Sequence, residues 1–221
     1  MISLPSLAGY AAPRARVDPA QRCELCAAPI REPHRHVVEL GVRGVCCACR
    51  ACALLFEGSA ADARYRSVPD RVIIDRDFAL PADRLGIPVG LACIVRDPAH
   101  DRVLACYPGP AGIVDGELTA EAWTALAAAT QLADRLEPDV EALLVHSERG
   151  SARSTCYLVP ITAMYELAGR LRRTWHGFHG GDEAERELAA FFADLDRVSA
   201  PLRAAARPGE AGAFDRKGRS A

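Results

Sequence analysis

Two Cys-x-x-Cys pairs near the N-terminus constrain this chain more than any other feature of its sequence. They are Cys23–Cys26 and Cys49–Cys52, and residues 27–48 separate them. Each pair can present two thiolates at the ~2.3 Å distance that tetrahedral zinc requires. Apolar runs at 37–41 and 42–46 predict a short hairpin that joins the two turns. We therefore predict a zinc-ribbon-like module over residues 21–57, with Cys23, Cys26, Cys49 and Cys52 as the metal ligands.

A metal would also explain how so short a module folds. A segment of this size buries too little apolar surface to fold alone. A structural zinc contributes roughly 10–16 kcal/mol of apparent binding free energy, which becomes folding free energy. Four thiolates fill the coordination shell and leave no position for a reactive water, so the predicted site is structural.

The sequence leaves some ligands and the metal open. Cys47 is an alternate ligand in place of Cys49. His34 and His36, which lie between the two pairs, could also bind the metal in place of a cysteine. In the simpler interpretation, Cys46 and Cys47 are strand residues beside the site and the histidines lie on the hairpin surface. Rubredoxin-like iron sites use the same four thiolates, but usually carry Gly just after each pair, where this chain has Ala27 and Ala53. That difference favours zinc, with iron as the alternative cofactor.

Charge and hydropathy narrow the classes of partner. The 27 basic and 29 acidic residues give a net charge of −2, so no global basic field favours nucleic acid. No run approaches the ~20 apolar residues of a membrane span. The first twenty residues lack the apolar core of a signal peptide. We expect a cytoplasmic protein with a protein partner, and neither a membrane nor a nucleic acid as its target.

The rest of the chain divides by composition and periodicity into five parts. They are a flexible leader (1–20), the zinc-ribbon-like module (21–57), a connector with one strand at 71–75 (58–86), an α+β domain (87–198) and a disordered basic tail (199–221). Within the α+β domain, alternation and turn residues predict a hairpin, a helix, a second hairpin and two more helices. We expect a four-stranded, mainly antiparallel sheet with about three helices covering one face. The predicted strands are 88–95, 102–107, 140–146 and 153–159, and the helices are 119–136, 160–175 and 182–198.

No catalytic constellation stands out in the α+β domain. The segment 175–183 carries His176, His179, Asp182 and Glu183, which could form a metal or acid–base site, although a helix cap explains the glycines and acids more simply. The run 107–112 lacks the Lys and Ser/Thr of a phosphate-binding loop. Three further cysteines, at 93, 106 and 156, lie in apolar runs and are expected to act as small buried hydrophobes.

Several blocks of this sequence, taken together, resemble an uncharacterised and mostly actinobacterial domain-of-unknown-function family, family 5947. The similarity covers roughly residues 21–198. The blocks are Cys23-Glu-Leu-Cys26, Cys47-Ala-Cys49-Arg-Ala-Cys52-Ala-Leu-Leu-Phe56, Val68-Pro-Asp70, Ile87-Pro-Val-Gly90, Tyr107-Pro-Gly-Pro-Ala-Gly112, Pro138-Asp-Val-Glu-Ala-Leu-Leu-Val145, Val159-Pro-Ile161 and Trp175-His-Gly-Phe-His-Gly-Gly181.

The resemblance implies a role but no reaction. Members of that family tend to be encoded near genes for nickel–iron hydrogenases and their accessory factors, which implies a hydrogenase subunit or maturation factor as partner. Its second cluster reads Cys-x-Cys-x-x-Cys, which here corresponds to Cys47, Cys49 and Cys52 and strengthens Cys47 as an alternate ligand. Our leading hypothesis is a non-catalytic, zinc-binding accessory or adaptor protein. The alternatives are a rubredoxin-like iron redox protein, a zinc ribbon that binds nucleic acid, and an enzyme that uses the 175–183 segment.

Overall fold

A computed structural model describes most of the chain. The described residues are 22–40, 42, 44–58, 63–80, 82–85, 90–109, 112–147, 154–174 and 181–202. The predicted leader, the tail beyond residue 202 and residues 175–180 of the polar segment lie outside these ranges.

The N-terminal module is a small three-stranded antiparallel sheet with one short helix. Strands β1 (Arg35–Glu39) and β2 (Gly44–Ala48) form the hairpin expected from the sequence, and helix α1 (Arg50–Leu55) follows directly. Strand β3 (Tyr65–Ser67) pairs with the other side of β1, which gives the order β2-β1-β3. The third strand comes from the segment that the sequence assigned to the connector.

Within the part of the chain that the structure describes, the main sheet has seven strands rather than the predicted four. Its order is β10-β4-β9-β8-β5-β6-β7, and all neighbours are antiparallel except β10 and β4. The strands are β4 (Ile73–Asp75), β5 (Leu91–Asp97), β6 (Arg102–Gly109), β7 (Gly112–Glu117), β8 (Glu141–Ser147), β9 (Ser154–Pro160) and β10 (Ala200–Pro201).

The two predicted hairpins, β5–β6 and β8–β9, form the centre of this sheet, and the prediction failed at its edges. The connector strand pairs with β9 as β4, where Ile73 lies opposite Leu158. The Pro- and Gly-rich run after Tyr107 continues the pairing into β7, with Gly109 opposite Gly112, instead of forming a separate loop. A strand of two residues, β10, comes from the start of the predicted tail. β7 and β10 are short or rich in Gly and Pro, so their sequences carry little strand pattern. The strand at 71–75 was predicted, but nothing in its own sequence shows which sheet it joins.

Helices cover both faces of the sheet, whereas the sequence analysis expected one covered face. Helices α4 (Ile161–Thr174) and α5 (Gly181–Val198) pack on one face, and α2 (Ala120–Ala129) and α3 (Leu132–Arg135) pack on the other. The central strands require this arrangement because they are apolar on both sides. In β5, Cys93 and Val95 belong to one core cluster, and Ala92 and Ile94 belong to the other. Two short 3-10 helices, Ala82–Leu85 and Pro98–His100, complete the described elements.

The single helix predicted over 119–136 is divided into α2 and α3 at Thr130. Thr119 caps α2, as expected, by accepting a hydrogen bond from the Ala122 amide at 3.2 Å. Thr130 has extended backbone, and its Oγ1 donates to buried Asp75 at 2.6 Å and accepts from the Leu132 amide at 3.2 Å. Those side-chain bonds replace the helical pattern locally, which is why the helix is interrupted.

The N-terminal module packs against the main domain. Val38 of β1 belongs to the core cluster beneath α4 and α5, and Leu40 and Val45 pack on that cluster. Arg66 of β3 donates to the Pro138 carbonyl oxygen at 3.1 Å. The described helices include none with the length and apolar character that crossing a membrane would require.

Candidate metal centre

Two local structures carry the four predicted ligands to one place. Cys23 and Cys26 flank a turn that precedes β1, and the Cys23 amide donates to the Ala28 carbonyl oxygen at 2.8 Å. Cys49 follows β2 directly and is the N-cap of α1, so its Sγ accepts from the Cys52 amide at 3.4 Å. Because the β1–β2 hairpin brings its two ends together, the turn and the start of the helix become neighbours.

The four sulfurs form a compact group, which we call the four-cysteine cluster (Cys23, Cys26, Cys49 and Cys52). Their Sγ atoms all lie within 4.8 Å of one another, and those of Cys26 and Cys49 are 3.7 Å apart. Two sulfurs bound to one tetrahedral zinc at ~2.3 Å would be separated by about 3.8 Å. The donor set and its spacing therefore fit a tetrahedral metal ion such as zinc or iron.

The cluster is open to solvent on one side. Cys23 is buried, Cys49 and Cys52 are half-buried, and Cys26 is exposed. Ile30, Val37, Ala48 and Ala53 pack around the buried side. A metal ion could enter from the exposed side, whereas four protein ligands would leave it no vacant position for a substrate.

Backbone amides directed at the sulfurs change the acidity of the thiols. Burial raises the pKa of Cys23, but hydrogen bonds from backbone groups of Cys49, Cys26 and Leu25 outweigh it and lower that pKa to about 6. The neighbouring sulfurs of Cys26 and Cys49 raise the pKa of Cys52 to about 12. One thiolate thus forms readily, and crowding opposes the next ones. A bound cation would supply the charge that removes the remaining protons.

Ala27, which stands where rubredoxin-like sites usually have Gly, adopts the backbone conformation that is typical of Gly. Ala27 adopts the left-handed region at φ 59°, which Gly usually occupies. The backbone amide of Ala28 is thereby directed at Cys26, where its hydrogen bond lowers the pKa of the thiol, although the side chains of Cys23 and Cys49 keep that pKa raised overall. The backbone arrangement that a Gly would allow is therefore present without it.

The remaining N-terminal cysteines and histidines lie outside the four-cysteine cluster. Cys46 and Cys47 are half-buried residues of β2, and burial raises the pKa of both thiols. Cys47 lies directly opposite His36 in the ladder, and its Sγ groups with a ring nitrogen of His36 and one of His34. Burial, followed by the charge of His34, lowers the pKa of His36. The ligand assignment, including Cys47 as an alternate, stays a prediction.

Other residues singled out in the sequence have mostly structural surroundings. Asp182 and Glu183 lie in the first turn of α5, where negative charge suits the helix dipole, while His176 and His179 fall outside the described residues. Cys93 and Cys156 are buried, and burial raises the pKa of both thiols. Cys106 lies opposite Cys93 in the β5–β6 ladder. Cys93 and Cys156 are thus buried in the sheet as expected, whereas Cys106 is only half-buried.

A groove beside the four-cysteine cluster was not anticipated from the sequence. It encloses about 530 Å³, and its lining includes Pro29, Arg31, His34, Cys49, Arg50 and Leu54. On the adjoining helix α1, Leu54 is 51 % exposed and Leu55 is 76 % exposed. The sequence signal that could have predicted this surface is the apolar run Ala53-Leu-Leu-Phe56. In that run Ala53 is buried, whereas the two leucines are exposed.

Comparison with known proteins finds a matching family for the chain but no reaction. Residues 22–199 match the family described as "Family of unknown function (DUF5947)". No curated protein matches the chain. No solved structure matches it either.

Proposed function

The chain belongs to the DUF5947 family of unknown function, and we propose that it is a non-catalytic accessory protein whose four-cysteine cluster holds a structural zinc ion. The observation that carries this proposal is the convergence of four sulfurs within 4.8 Å of one another, which is the full donor set of a tetrahedral structural zinc. Closed four-thiolate sites stabilise small modules and do not activate water. In this proposal the ion fixes the shape of the N-terminal module, and the module contacts a partner.

Metal analysis of cysteine variants tests the structural ion. The full chain, purified without oxygen, should lose one zinc per chain on Cys23→Ser/Cys26→Ser substitution. Cys46→Ser is the matched control, since Cys46 is a neighbouring cysteine outside the cluster, and it should keep the wild-type zinc content. Equal zinc content in wild type and the double variant would contradict the proposal.

Iron is the second candidate for the same cluster, and one observation favours it. Rubredoxin-like iron sites usually have Gly after each cysteine pair. Ala27, at φ 59°, gives the first cysteine loop the left-handed backbone conformation that such a Gly adopts. Iron bound by four thiolates absorbs visible light, whereas zinc has filled d orbitals and is colourless. A red protein whose colour and iron content disappear in Cys23→Ser/Cys26→Ser would replace the zinc proposal with an electron-transfer role.

The exposed surface next to the cluster supports a protein partner. Leu54 and Leu55 present apolar side chains to solvent on α1, and Arg31 and Arg50 line the adjoining groove. Neighbouring apolar and cationic groups are suited to a partner with apolar and acidic side chains. We propose that this partner is a nickel–iron hydrogenase subunit or maturation factor, as the family resemblance described above implies.

Affinity capture from cells that assemble such a hydrogenase tests the partner. The wild-type chain should recover a hydrogenase subunit or maturation factor. Leu54→Glu/Leu55→Glu should reduce that recovery at least about tenfold, because a loss of ~1.4 kcal/mol in binding is tenfold in affinity. Val198→Glu is the control, since Val198 is 66 % exposed at the end of α5, and it should bind as wild type. Capture that is equal in both variants would contradict docking at α1.

A further inference from the structure

We propose that His34, His36 and Cys47 form a second transition-metal site, separate from the four-cysteine cluster. Its ligands would be two imidazole nitrogens and one thiolate, and its fourth coordination position would be open to water or a small ligand. The chemical class is a borderline divalent ion such as Zn²⁺, Co²⁺, Ni²⁺ or Cu²⁺, because imidazole and thiolate select these over Mg²⁺ and Ca²⁺.

Strand register brings the three residues together. His36 and Cys47 are directly opposite one another in the antiparallel β1–β2 ladder, so their side chains share a face. His34 lies just before β1, and its ring packs against that of His36. Val37, the next residue along β1, points to the other face and packs with Cys23 in the core of the N-terminal module. His36 and Cys47 therefore lie on the hairpin face opposite to Val37, although Cys47 still contacts the core cluster that contains Cys23.

The ligand atoms are close enough for a single ion. One ring nitrogen of His34, one of His36 and the Sγ of Cys47 all lie within 4.8 Å of one another. The two imidazole rings have centroids 4.7 Å apart and are tilted by 41°. Metal–nitrogen bonds of ~2.0–2.1 Å and a metal–sulfur bond of ~2.3 Å would join these atoms after a small side-chain adjustment.

His34 carries a buried nitrogen for which the described residues provide no hydrogen-bond partner. Its side chain is only 9 % exposed, and its Nε2 is inaccessible and unsatisfied. Native proteins rarely leave such an atom unpaired, because the hydrogen bonds that it made to water are then lost without replacement. A metal bound at Nε2 would satisfy it.

The other nitrogen of His34 has the partner that a metal ligand typically has. Its Nδ1 lies 3.2 Å from Glu32 Oε1. An Nδ1–H that donates to this carboxylate leaves the lone pair on Nε2 and orients the ring. Metal-binding histidines in proteins are held in this way by a carboxylate on the remote nitrogen. Glu32 is therefore the positioning residue of the proposed site.

The position of Cys47 is fixed by its backbone. Its amide donates to the Glu24 carboxylate, and its carbonyl oxygen accepts from the Glu24 amide at 2.9 Å. These bonds fasten β2 to the loop between Cys23 and Cys26. They connect the two groups of ligands through the backbone while keeping Cys47 out of the four-cysteine cluster.

Anaerobic titration of the metal-free full chain with Co²⁺ tests the second site, with stoichiometry read from visible absorption and total metal. We expect two ions per chain for wild type. His34→Gln/His36→Gln and Cys47→Ala should each bind one, and the retained ion shows that the module still folds. Cys46→Ala is the matched control on the same strand and should bind two.

The same titration separates this proposal from the structural zinc. Cys23→Ser/Cys26→Ser should lose the ion with the larger thiolate absorption, which the histidine variant and Cys47→Ala both keep. One ion in wild type would overturn the second site, as would two ions in the histidine variant. Loss of both ions in the histidine variant and in Cys47→Ala would show that the two ions do not occupy separate sites, which also overturns it.

Discussion

At the scale of single residues, the most demanding polar group is Glu141, whose side chain is fully buried at the start of β8. Arg71 holds it with two bonds, Nε to Oε1 at 2.7 Å and Nη2 to Oε2 at 2.8 Å. The Glu137 amide donates a third at 3.0 Å. A buried carboxylate is tolerated when its lone pairs are satisfied in this way.

Removing the arginine should therefore destabilise the fold strongly. Arg71→Met is expected to lower the free energy of unfolding by about 3 kcal/mol, because it leaves a charged group buried with a single donor. Urea denaturation measures the change. The control is Arg76→Met, since Arg76 is 63 % exposed in its pair with Asp196, and surface pairs contribute about 1 kcal/mol or less. Equal loss in the two variants would show that burial of Glu141 is not what matters.

The raised pKa of Tyr157 should make the free energy of unfolding depend on pH in the alkaline range. Burial, followed by the charge of Asp196 and a 3.1 Å hydrogen bond from the phenol to it, raises the pKa of Tyr157 above its usual value near 10. Between that usual value and the raised one, the unfolded chain loses the phenolic proton while the folded chain keeps it. Stability contributed by Tyr157 is thus complete below pH about 10 and falls as pH rises.

We expect Tyr157→Phe to flatten the loss of stability above pH about 9. The slope of unfolding free energy against pH, measured by urea denaturation from pH about 8 to about 11, should be smaller than in wild type. Tyr165→Phe is the comparison, because Tyr165 is 44 % exposed, and it should keep the wild-type slope. Identical slopes in all three proteins would refute the role of Tyr157.

At the scale of elements, strand β10 shows how little chain can extend a sheet. It consists of Ala200 and Pro201, and its pairing with β4 rests on two flanking amides. Ala200 donates to the Val72 carbonyl oxygen at 2.9 Å, and Leu202 donates to that of Ile74 at 2.8 Å. Leu202 also packs against the core cluster beneath α2 and α3.

Shortening the chain tests this strand. A protein that ends at Val198 should be about 1–3 kcal/mol less stable than one that ends at Leu202, since two hydrogen bonds of roughly 0.5–1.5 kcal/mol each are lost. Thermal unfolding of the two truncated proteins measures the difference. Equal midpoints would mean that β10 contributes nothing to the sheet.

The elements that sequence reasoning identified are those with local signals. Thr119 predicts the start of α2 from its own side chain, and the stripe of Leu188, Phe191, Phe192 and Leu195 predicts α5, whose buried face contains three of them. The break at Thr130 could not be predicted, because it depends on a bond to Asp75, a residue far away in the sequence. The strand at 71–75 was predicted, but its place in the main sheet as β4 was not, because that place depends on pairing with the distant β9.

In the candidate site, too, the part with a local sequence signal was predicted and the part that depends on strand pairing was not. The two Cys-x-x-Cys pairs are local, so their meeting followed from the hairpin between them. The grouping of His34, His36 and Cys47 depends on the β1–β2 register, which places Cys47 opposite His36. A shift by one residue would place Cys46 there, and the sequence alone does not fix that choice.

At the scale of the whole molecule, two parts of unequal size share one interface. Among its described residues, the N-terminal module has a core of five that are buried, Cys23, Ile30, Val37, Ala48 and Ala53. The main domain has two larger clusters on the faces of its sheet. A core this small would need a bound metal ion for its stability, whereas a large core can hold its fold without one.

Metal removal should therefore unfold the module and spare the main domain. After treatment of the full chain with a chelator, amide hydrogen exchange in β1 and β2 should become fast, while β5, β8 and β9 stay protected. Adding zinc back should restore protection in β1 and β2. Retained protection of β1 and β2 without metal, or simultaneous loss in β5 and β8, would contradict the division.

The two edge strands of the seven-stranded sheet affect whether copies of the chain can pair through their sheets at high concentration. One edge is the two-residue β10, where Pro201 has no amide hydrogen to offer a neighbour. The other is β7, where Asp115 and Glu117 are exposed. Two β7 edges brought side by side would set carboxylates against carboxylates. The two edges that the described residues form are thus poor templates for the growth of fibres by strand addition.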